Sequence, residues 1–327
     1  MVSAGEEADA RGQDPDSAPP ADLHDEITRL EAKRDRLSEL LDPLYPTVLD
    51  TCHELGLAYL DAGRLDLAIP LLTTNLEHRR RIMGKDYVDT LDSATALAAA
   101  HLNAGHTIQA LARVHINLHS CRRRFLREDH PTTLAARNLQ GLAYLSVGRG
   151  RKARAVLRRT LQARRRVLGD EHPDTMATVD NLALALGPKR ERREAIYLLQ
   201  HNVDRERRIL GATHPRTLTS TASLGLMRAE AGFFGGVETV EDALRTQRAS
   251  WGADNRGSLA TAGKLALAQL AEARYEKGIA LLRETVARCR SNLGRRDKLT
   301  RRLSRTLMLE RGPRRPARWI SRTIRRR

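Results

Sequence analysis

The stretch that decides the fold is Leu168-Gly-Asp-Glu-His-Pro-Asp-Thr175, because its parts recur along the chain at a fixed interval. The pair His-Pro stands at residues 130–131, 172–173 and 214–215, 42 residues apart each time. Glycines keep the same spacing at two further positions of the unit, namely Gly63, Gly105, Gly148 and Gly232, and Gly169, Gly211, Gly252 and Gly294. Self-similarity of this period is typical of stacked structural repeats.

Small residues recur in register as well, and they would let neighbouring helices approach closely. They are Gly56, Ala98, Gly141, Ala183, Gly225 and Ala266, followed by Ala68, Ala110, Ala153 and Ala195. The register divides the chain into six units, near residues 46–87, 88–130, 131–172, 173–214, 215–255 and 256–294.

Each unit predicts two antiparallel helices. In the motif His-Pro-Asp-Thr, proline is tolerated in a first helical turn, and the Asp or Thr side chain can cap free N–H groups. Apolar residues then follow at spacings of three and four, as in Leu182 and Leu186 and, one helix later, Ile196, Leu199 and Val203. The glycine in the middle of the unit predicts a left-handed turn that ends the first helix.

The motif Leu55-Gly56-x-x-Tyr59, continued by Gly63 and Ala68, resembles the tetratricopeptide signature. The 42-residue period and the connecting stretch 168–175 are similar to the kinesin light chain subtype, over roughly residues 40–294. The resemblance implies an all-α, right-handed α-solenoid (superhelix) of about six helix-turn-helix repeats. The sequence departs from the pattern at Gly187-Pro188, at Phe233-Phe234-Gly235-Gly236 and at Asn255-Arg256, which replaces His-Pro in the sixth unit.

The flanks predict caps and tails. Apolar residues at helical spacing predict capping helices over residues 22–41 and 297–310, so the solenoid would span 22–310. Residues 1–21 are rich in Asp, Pro, Ala and Gly, and we expect an acidic, disordered segment there. Residues 311–327 form a basic, Arg-rich tail interrupted by prolines.

Composition argues against several classes of protein. Aromatic residues make up 3% of the chain, which indicates a thin core of Ala and Leu rather than the deep core of a large enzyme. The three cysteines lie far apart, and no catalytic or phosphate-binding motif is present, so we expect a non-enzymatic protein without cofactor or metal. No targeting segment or long apolar run is visible, which favours a cytoplasmic location.

The resemblance further implies a protein-interaction scaffold or adaptor, whose first helices line a concave groove that holds peptides. The Ala- and Arg-rich composition fits a high-GC bacterium, in which similar arrays accompany signalling proteins and regulators. Because Lys264 is the only cation among the carried-over groove positions, the expected partner is a neutral or basic extended segment. Those positions are Asp50, His53, Glu54, Asp92, Thr95, Asn103, Asn138, Asp180, Asn181, Thr219, Ser223 and Lys264.

A different class of function is left open by the basic residues. Arginine clusters at 79–81, 122–124, 164–166 and 207–208 end the predicted second helices, where cations favour the helix dipole or pair with nearby acids. Stacked in register, they could instead form a ridge that contacts phosphates. The tail could bind nucleic acid or an anionic membrane, fold back into the groove, or bind nothing. Its cations are Arg311, Arg314, Arg315, Arg318, Arg322, Arg325, Arg326 and Arg327.

Overall fold

The computed structural model describes residues 23–124, 126–186, 191–295 and 297–310, and within them the chain forms fourteen α-helices and no strand. The predicted acidic segment 1–21 and the predicted basic tail 311–327 lie outside these residues. The helices are α1 Leu23–Leu40, α2 Pro46–Asp61, α3 Leu65–Ile82, α4 Val88–Asn103, α5 Thr107–Arg123, α6 Pro131–Ser146, α7 Gly150–Leu168, α8 Pro173–Ala185, α9 Arg192–Ile209, α10 Pro215–Ala231, α11 Gly236–Trp251, α12 Arg256–Ala271, α13 Tyr275–Asn292 and α14 Lys298–Glu310.

The helices stack as pairs in chain order. The first helix of each pair (α2, α4, α6, α8, α10, α12) packs against its second helix, and each second helix packs against the next pair. Helix α1 packs on α2, and α14 packs on α13. The buried side chains are mostly leucine and alanine, in clusters that each join consecutive helices. The expected all-α solenoid is therefore confirmed.

The histidines of the His-Pro pairs cap the first helices. The Nδ1 atoms of His130, His172 and His214 each accept a hydrogen bond from the backbone N–H two residues later, at 3.3, 3.1 and 3.2 Å. Asn255 does the same in the sixth repeat, where its Oδ1 atom accepts from the N–H of Gly257 at 2.8 Å. The expectation that Asp or Thr provides these caps was wrong, because the imidazole precedes the proline and so occupies the N-cap position.

The turns inside the repeats contain the predicted left-handed residues. Gly63, Gly105, Gly148 and Gly232 have φ angles of 73°, 82°, 76° and 78°. In the sixth repeat Ala273 occupies this turn with a φ of 61°, the one non-glycine residue with positive φ in the part of the chain described. A side chain in this conformation costs backbone energy, so the sixth turn is strained.

The small residues on the first helices are required by close helix packing. A Cβ atom added to Gly56 would lie 2.5 Å from Leu72, and one added to Gly141 would lie 2.5 Å from Leu157. Both leucines belong to the second helix of the same repeat and are fully buried. The glycines thus set how closely the two helices of a repeat approach each other.

Buried asparagines tie the two helices of several repeats together at the same register position. The Nδ2 atoms of Asn75 and Asn117 donate to the carbonyl oxygens of Leu49 and Leu91, at 2.6 and 2.9 Å. Asn202 donates equivalently to the carbonyl oxygen of Met176 at 3.3 Å. These bonds give each buried amide a partner on the facing helix, as a polar group removed from water requires.

Two arginines of the clusters are buried and structural. Arg79 is 3% exposed, and it donates to the carbonyl oxygen of Asp89 at 2.8 Å and to Asp50 at 2.6 Å. Arg164 is also 3% exposed and donates to the carbonyl oxygen of Asp174 at 2.7 Å and to Thr178 at 2.8 Å. Each joins the end of a second helix to the start of the next repeat, so neither contributes to a surface ridge.

The superhelix brings distant repeats into contact. The Nη2 atom of Arg301, on α14, donates to the carbonyl oxygen of Ala104 in the turn between α4 and α5 at 3.1 Å. Near it, the Arg256 side chain at the start of α12 lies against the turn at Gly63, within 3.1 Å of where a Cβ atom would be. Arg256 is itself held by Asp297 at 2.7 Å.

Candidate binding groove

The first helices α2, α4, α6, α8, α10 and α12 expose one shared surface, which we call the groove. One register position on this surface carries an apolar residue in every repeat: Leu57, Ala99, Leu142, Leu184, Leu226 and Leu267. Leu57 and Leu184 are 39% and 41% exposed, Leu142 and Leu267 are half-buried, and Leu226 is buried. The row gives the groove an apolar line that runs across successive repeats.

Polar side chains from neighbouring repeats meet beside this line. The Nδ2 atom of Asn181, on α8, donates to the Oδ1 atom of Asn138, on α6, at 3.2 Å. Both residues are half-buried. The remaining amide donors and acceptors can bond the backbone of an extended chain, since each amide offers two N–H groups and one oxygen.

Asp180 lies next to Asn181 and is held by two hydrogen bonds. Its carboxylate accepts from Asn202 at 3.0 Å and from Ser220, on the next first helix, at 3.0 Å. Burial, with the nearby negative charge of Glu206, raises the pKa of Asp180 to about 7. Near neutral pH this part of the groove therefore carries only a partial negative charge.

Lys264 connects the fifth and sixth repeats. Its Nζ atom donates to the Ser223 hydroxyl at 2.7 Å and to the carbonyl oxygen of Thr219 at 3.1 Å. Burial lowers the pKa of Lys264 to about 8, and the positive charge of Arg302, on α14, also favours its neutral form. Arg302 also lowers the pKa of Glu230, although burial, which is the larger effect, raises it.

The groove candidates of the first two repeats have structural partners of their own. Asp50 forms the ion pair with Arg79 at 2.6 Å, and Glu54 lies 3.6 Å from Lys33 of α1. The Thr95 hydroxyl accepts from Asn117 at 2.6 Å while donating to the carbonyl oxygen of Leu91. More of the bonding capacity of these side chains is used within the solenoid than is the case for Asn138 or Asn181.

The three remaining candidates are half-buried. The Nδ1 atom of His53 is 3.4 Å from the Ser93 hydroxyl, and burial together with Arg79 lowers the pKa of this imidazole. Burial raises the pKa of Asp92. Asn103 lies at the end of α4. The candidates thus divide into a connected set on α6 to α12 and a more dispersed set on α2 and α4.

Sequence reasoning missed three features of the groove. Leu142 and Leu267 belong to the same row as Leu57, and the repeat register alone could have identified them. Arg302 was assigned to a capping helix, and no local signal shows that α14 brings its charge near Lys264. The groove therefore contains a second cation that the sequence-based prediction omitted.

The described residues include all three cysteines of the chain. Cys52, Cys121 and Cys289 are free thiols, and burial raises the pKa of each, to about 11 at Cys289. A raised thiol pKa disfavours the reactive thiolate. Within the same residues no three His, Cys, Asp or Glu side chains are grouped to hold a metal ion, and no helix combines the length and apolar character needed to span a membrane.

Comparison with known proteins agrees with this architecture. Models of the tetratricopeptide repeat match residues 48–114 and 133–174. No curated protein sequence matches the chain significantly.

Three solved structures illustrate the likeness in fold. A putative kinesin light chain from Podosopora anserina with nearly identical tetratricopeptide-like repeats is 24% identical, with a TM-score of 0.50 over 62% of this chain and 96% of that one. The apo form of RapI is 12% identical, with a TM-score of 0.61 over 82% and 92% of the two chains. A Rap protein complexed with Competence and Sporulation Factor is 14% identical, with a TM-score of 0.59 over 88% and 79%. Residues 48–114 and 133–174 therefore match the tetratricopeptide repeat, and the array has a fold similar to that of kinesin light chain repeats.

Proposed function

We propose that the chain is a non-enzymatic protein-interaction scaffold or adaptor that binds an extended segment of a partner protein along the groove. The observation that carries the proposal is the row of apolar side chains, one per repeat, with Leu57 and Leu184 exposed. An extended segment presents side chains at regular intervals, so a row of evenly spaced apolar positions matches it better than it matches a compact ligand.

The polar residues beside the row support backbone recognition. Asn138 and Asn181 are joined by only one hydrogen bond, which leaves amide groups of both side chains available to a bound chain. A peptide main chain needs both donors and acceptors, and asparagine supplies both from one group. The fold itself is compatible with ligand binding, since a Rap protein of similar fold has been solved complexed with Competence and Sporulation Factor.

The charge of the groove favours a particular orientation of the segment. Acidic side chains lie at its first two repeats, where Asp50 and Glu54 on α2 are paired with Arg79 and Lys33 and Asp92 lies on α4. Cations lie at the other end, where Lys264 and Arg302 stand on α12 and α14. We therefore propose a neutral or basic extended segment, with its basic residues over the first two repeats and any acidic terminus toward α14. A cytoplasmic location and a role in bacterial signalling or regulation remain parts of the same proposal.

The experiment is a selection of random displayed peptides on the immobilised full chain, followed by affinity measurements on synthetic copies. The double variant Leu184→Glu/Asn181→Ala changes the groove. Arg165→Ala changes an exposed second-helix arginine that pairs with Asp170 at 2.8 Å. We expect groove substitution to weaken the selected peptides at least about tenfold, since a buried leucine contact contributes about 1.5–3 kcal/mol, and Arg165→Ala to leave them unchanged.

Two results would contradict the proposal. Peptides that bind both variants with the affinity of the native chain would show that they use another surface. A selection without any consensus would show that the groove does not recognise extended segments. Circular dichroism of each variant confirms that the helices are intact before affinities are compared.

The alternative function is binding to nucleic acid or to an anionic membrane surface. It rests on the charge of +17 and on the tail, which lies outside the described residues. The burial of Arg79 and Arg164 removes two members from the supposed arginine ridge. A chain ending at residue 310 separates the two ideas, because phosphate binding through the tail would be lost and would weaken steeply with salt, whereas peptide binding in the groove would persist.

A further inference from the structure

A cavity of about 650 Å³ lies on the opposite side of α4 from the groove. The second helices α3 and α5 form its walls and α4 forms its floor, where Leu91 and Ala94 supply apolar surface. Cavities of about 300–1,000 Å³ with apolar linings are typical of small-molecule sites. The peptide proposal does not use this cavity.

The walls carry cations without acidic partners. Arg80 and Arg113 face the cavity from α3 and α5, and neither side chain forms an ion pair or hydrogen bond with any residue in the described part of the chain. Burial lowers the pKa of Arg113, and the charge of Arg80 lowers it further. The two guanidinium groups thus repel each other across the space between their helices.

One acid stands near the edge of the cavity. A hydrogen bond from Ser120 is the main cause of the lowered pKa of Asp86, and Arg123 and Lys85 act in the same direction. Lys85 also lines the cavity, so its charge is partly offset by Asp86. Burial and the charge of Arg80 are the causes of the lowered pKa of Arg113, and no acid among the described residues offsets them.

Unsatisfied polar atoms line the same space. Thr90 and Asn117 are only 1% and 2% exposed, and the Thr90 hydroxyl and the Asn117 Oδ1 atom have no hydrogen-bond partner among the described residues. The Nδ1 atom of His101 is buried without a partner as well. Buried polar groups without partners are costly. All three residues border the cavity, where an anionic ligand would accept a hydrogen bond from the Thr90 hydroxyl but not bond the Asn117 oxygen, which is itself an acceptor.

An apolar stripe leads away from the cavity along α5. Ile108, Ala112 and Ile116 follow one another at intervals of four residues, so they lie on one face of the helix. Ile108 and Ile116 are 82% and 61% exposed. Large apolar side chains exposed beside a cationic cavity suit a ligand that has both an apolar body and a charged group.

We propose that this cavity binds a small amphipathic organic anion, whose carboxylate, phosphate or sulfonate lies between Arg80 and Arg113 and whose apolar body packs on α4 and the α5 stripe. The anion relieves the repulsion between the two guanidinium groups and accepts a hydrogen bond from Thr90.

The test uses anilinonaphthalene sulfonate, a fluorescent anion with an apolar body, titrated onto the full chain. Ala112→Glu and Ala112→Lys form a matched pair at an exposed cavity-wall position. The glutamate would pair with the guanidinium groups in place of the ligand, whereas the lysine adds similar bulk and preserves the positive charge. Arg113→Gln removes one anchor directly.

We expect the native chain to bind the probe at one site. Ala112→Glu and Arg113→Gln should each weaken binding about tenfold or more, as the loss of a charge-assisted hydrogen bond implies, whereas Ala112→Lys should stay within about twofold. Decanoate should displace the probe, whereas decanol or inorganic phosphate alone should not, because the site requires both an anion and an apolar body.

Several outcomes would overturn the proposal. One is a native chain that does not bind the probe, and another is native affinity in both Ala112→Glu and Arg113→Gln. Displacement by phosphate as effective as that by decanoate would remove the need for an apolar body. Loss of binding in Leu184→Glu but not in Ala112→Glu would place the probe in the groove instead.

Discussion

Replacing Asp180 by asparagine removes a buried titrating charge from the groove while preserving its hydrogen bonds. The oxygen of the introduced amide can still accept from Asn202, and its N–H can donate to the Ser220 hydroxyl, which reorients to accept. The change therefore isolates the cost of the charge. The carboxylate it replaces is disfavoured by burial and by Glu206, and is favoured by Arg216 and by the two hydrogen bonds.

The magnitude follows from the pKa, which rises from an ordinary value of 3.8 to about 7 on folding. Between these values the folded chain holds a proton that the unfolded chain releases, so the free energy of unfolding falls as the pH rises, and the penalty is complete above pH 7. At about 1.4 kcal/mol per pKa unit the full penalty is about 4 kcal/mol. About 2–3 kcal/mol of it develops between roughly pH 5 and pH 8.

The assay is urea unfolding followed by circular dichroism at several pH values across this window, for the native chain and for Asp180→Asn. The difference in unfolding free energy between the two should shift by about 2–3 kcal/mol in favour of the variant from about pH 5 to pH 8. Other titrating groups are common to both proteins and cancel. Ser220→Ala serves as the control, because it removes a hydrogen bond but retains the titrating carboxyl and hence the pH dependence.

A difference between the two proteins that does not change with pH would refute the reasoning. It would mean that Asp180 is ionised in the folded chain across the whole range, with its charge stabilised by Arg216.

Three further substitutions test the scaffold by the same unfolding measurement. Ala273→Gly should stabilise the chain by about 0.5–1 kcal/mol, because glycine adopts the positive φ without strain. This gain exceeds the extra entropy that glycine loses on folding. A destabilised variant would show that the turn is not strained. Arg164→Ala should cost about 2–4 kcal/mol, since it removes the buried side chain that bonds the Asp174 carbonyl oxygen and the Thr178 hydroxyl and pairs with the Asp174 carboxylate. A cost below about 0.5 kcal/mol, as expected of an exposed arginine, would refute its structural role. Gly141→Ala should cost about 1–3 kcal/mol, because the added Cβ would lie 2.5 Å from a buried leucine, and an unchanged midpoint would show that the helices can separate at little cost.

The repeat register was enough to predict where helices begin and end. The His-Pro pairs and the mid-unit glycines mark helix boundaries locally, through a fixed proline φ angle and through left-handed turns. The departures at Phe233-Phe234 and Asn255 did not interrupt the array, because Gly232 and Gly235 supply the turn and Asn255 supplies the cap. Such signals depend on a few neighbouring residues, which is why the sequence reveals them.

The surroundings of individual side chains were less predictable. Arg79 and Arg80 are adjacent in the sequence, yet one is buried against the next repeat and the other faces a cavity. Likewise, nothing near Lys264 in the sequence indicates that it bonds Ser223 in the preceding repeat. These contacts depend on the packing angle between repeats, which spacing along the chain does not determine.

The contact between Arg301 and the Ala104 carbonyl oxygen links two repeats that are far apart in the sequence. A linear solenoid frays from its ends, since each repeat touches only its neighbours. Here the last helix is also held by the second repeat, across 197 residues, and Arg256 lies on the turn of the first. Loss of α14 would therefore remove the hydrogen bond from Arg301 to the second repeat. The hydrogen bond between α14 and the turn after α4 therefore limits how far the repeats can spread apart.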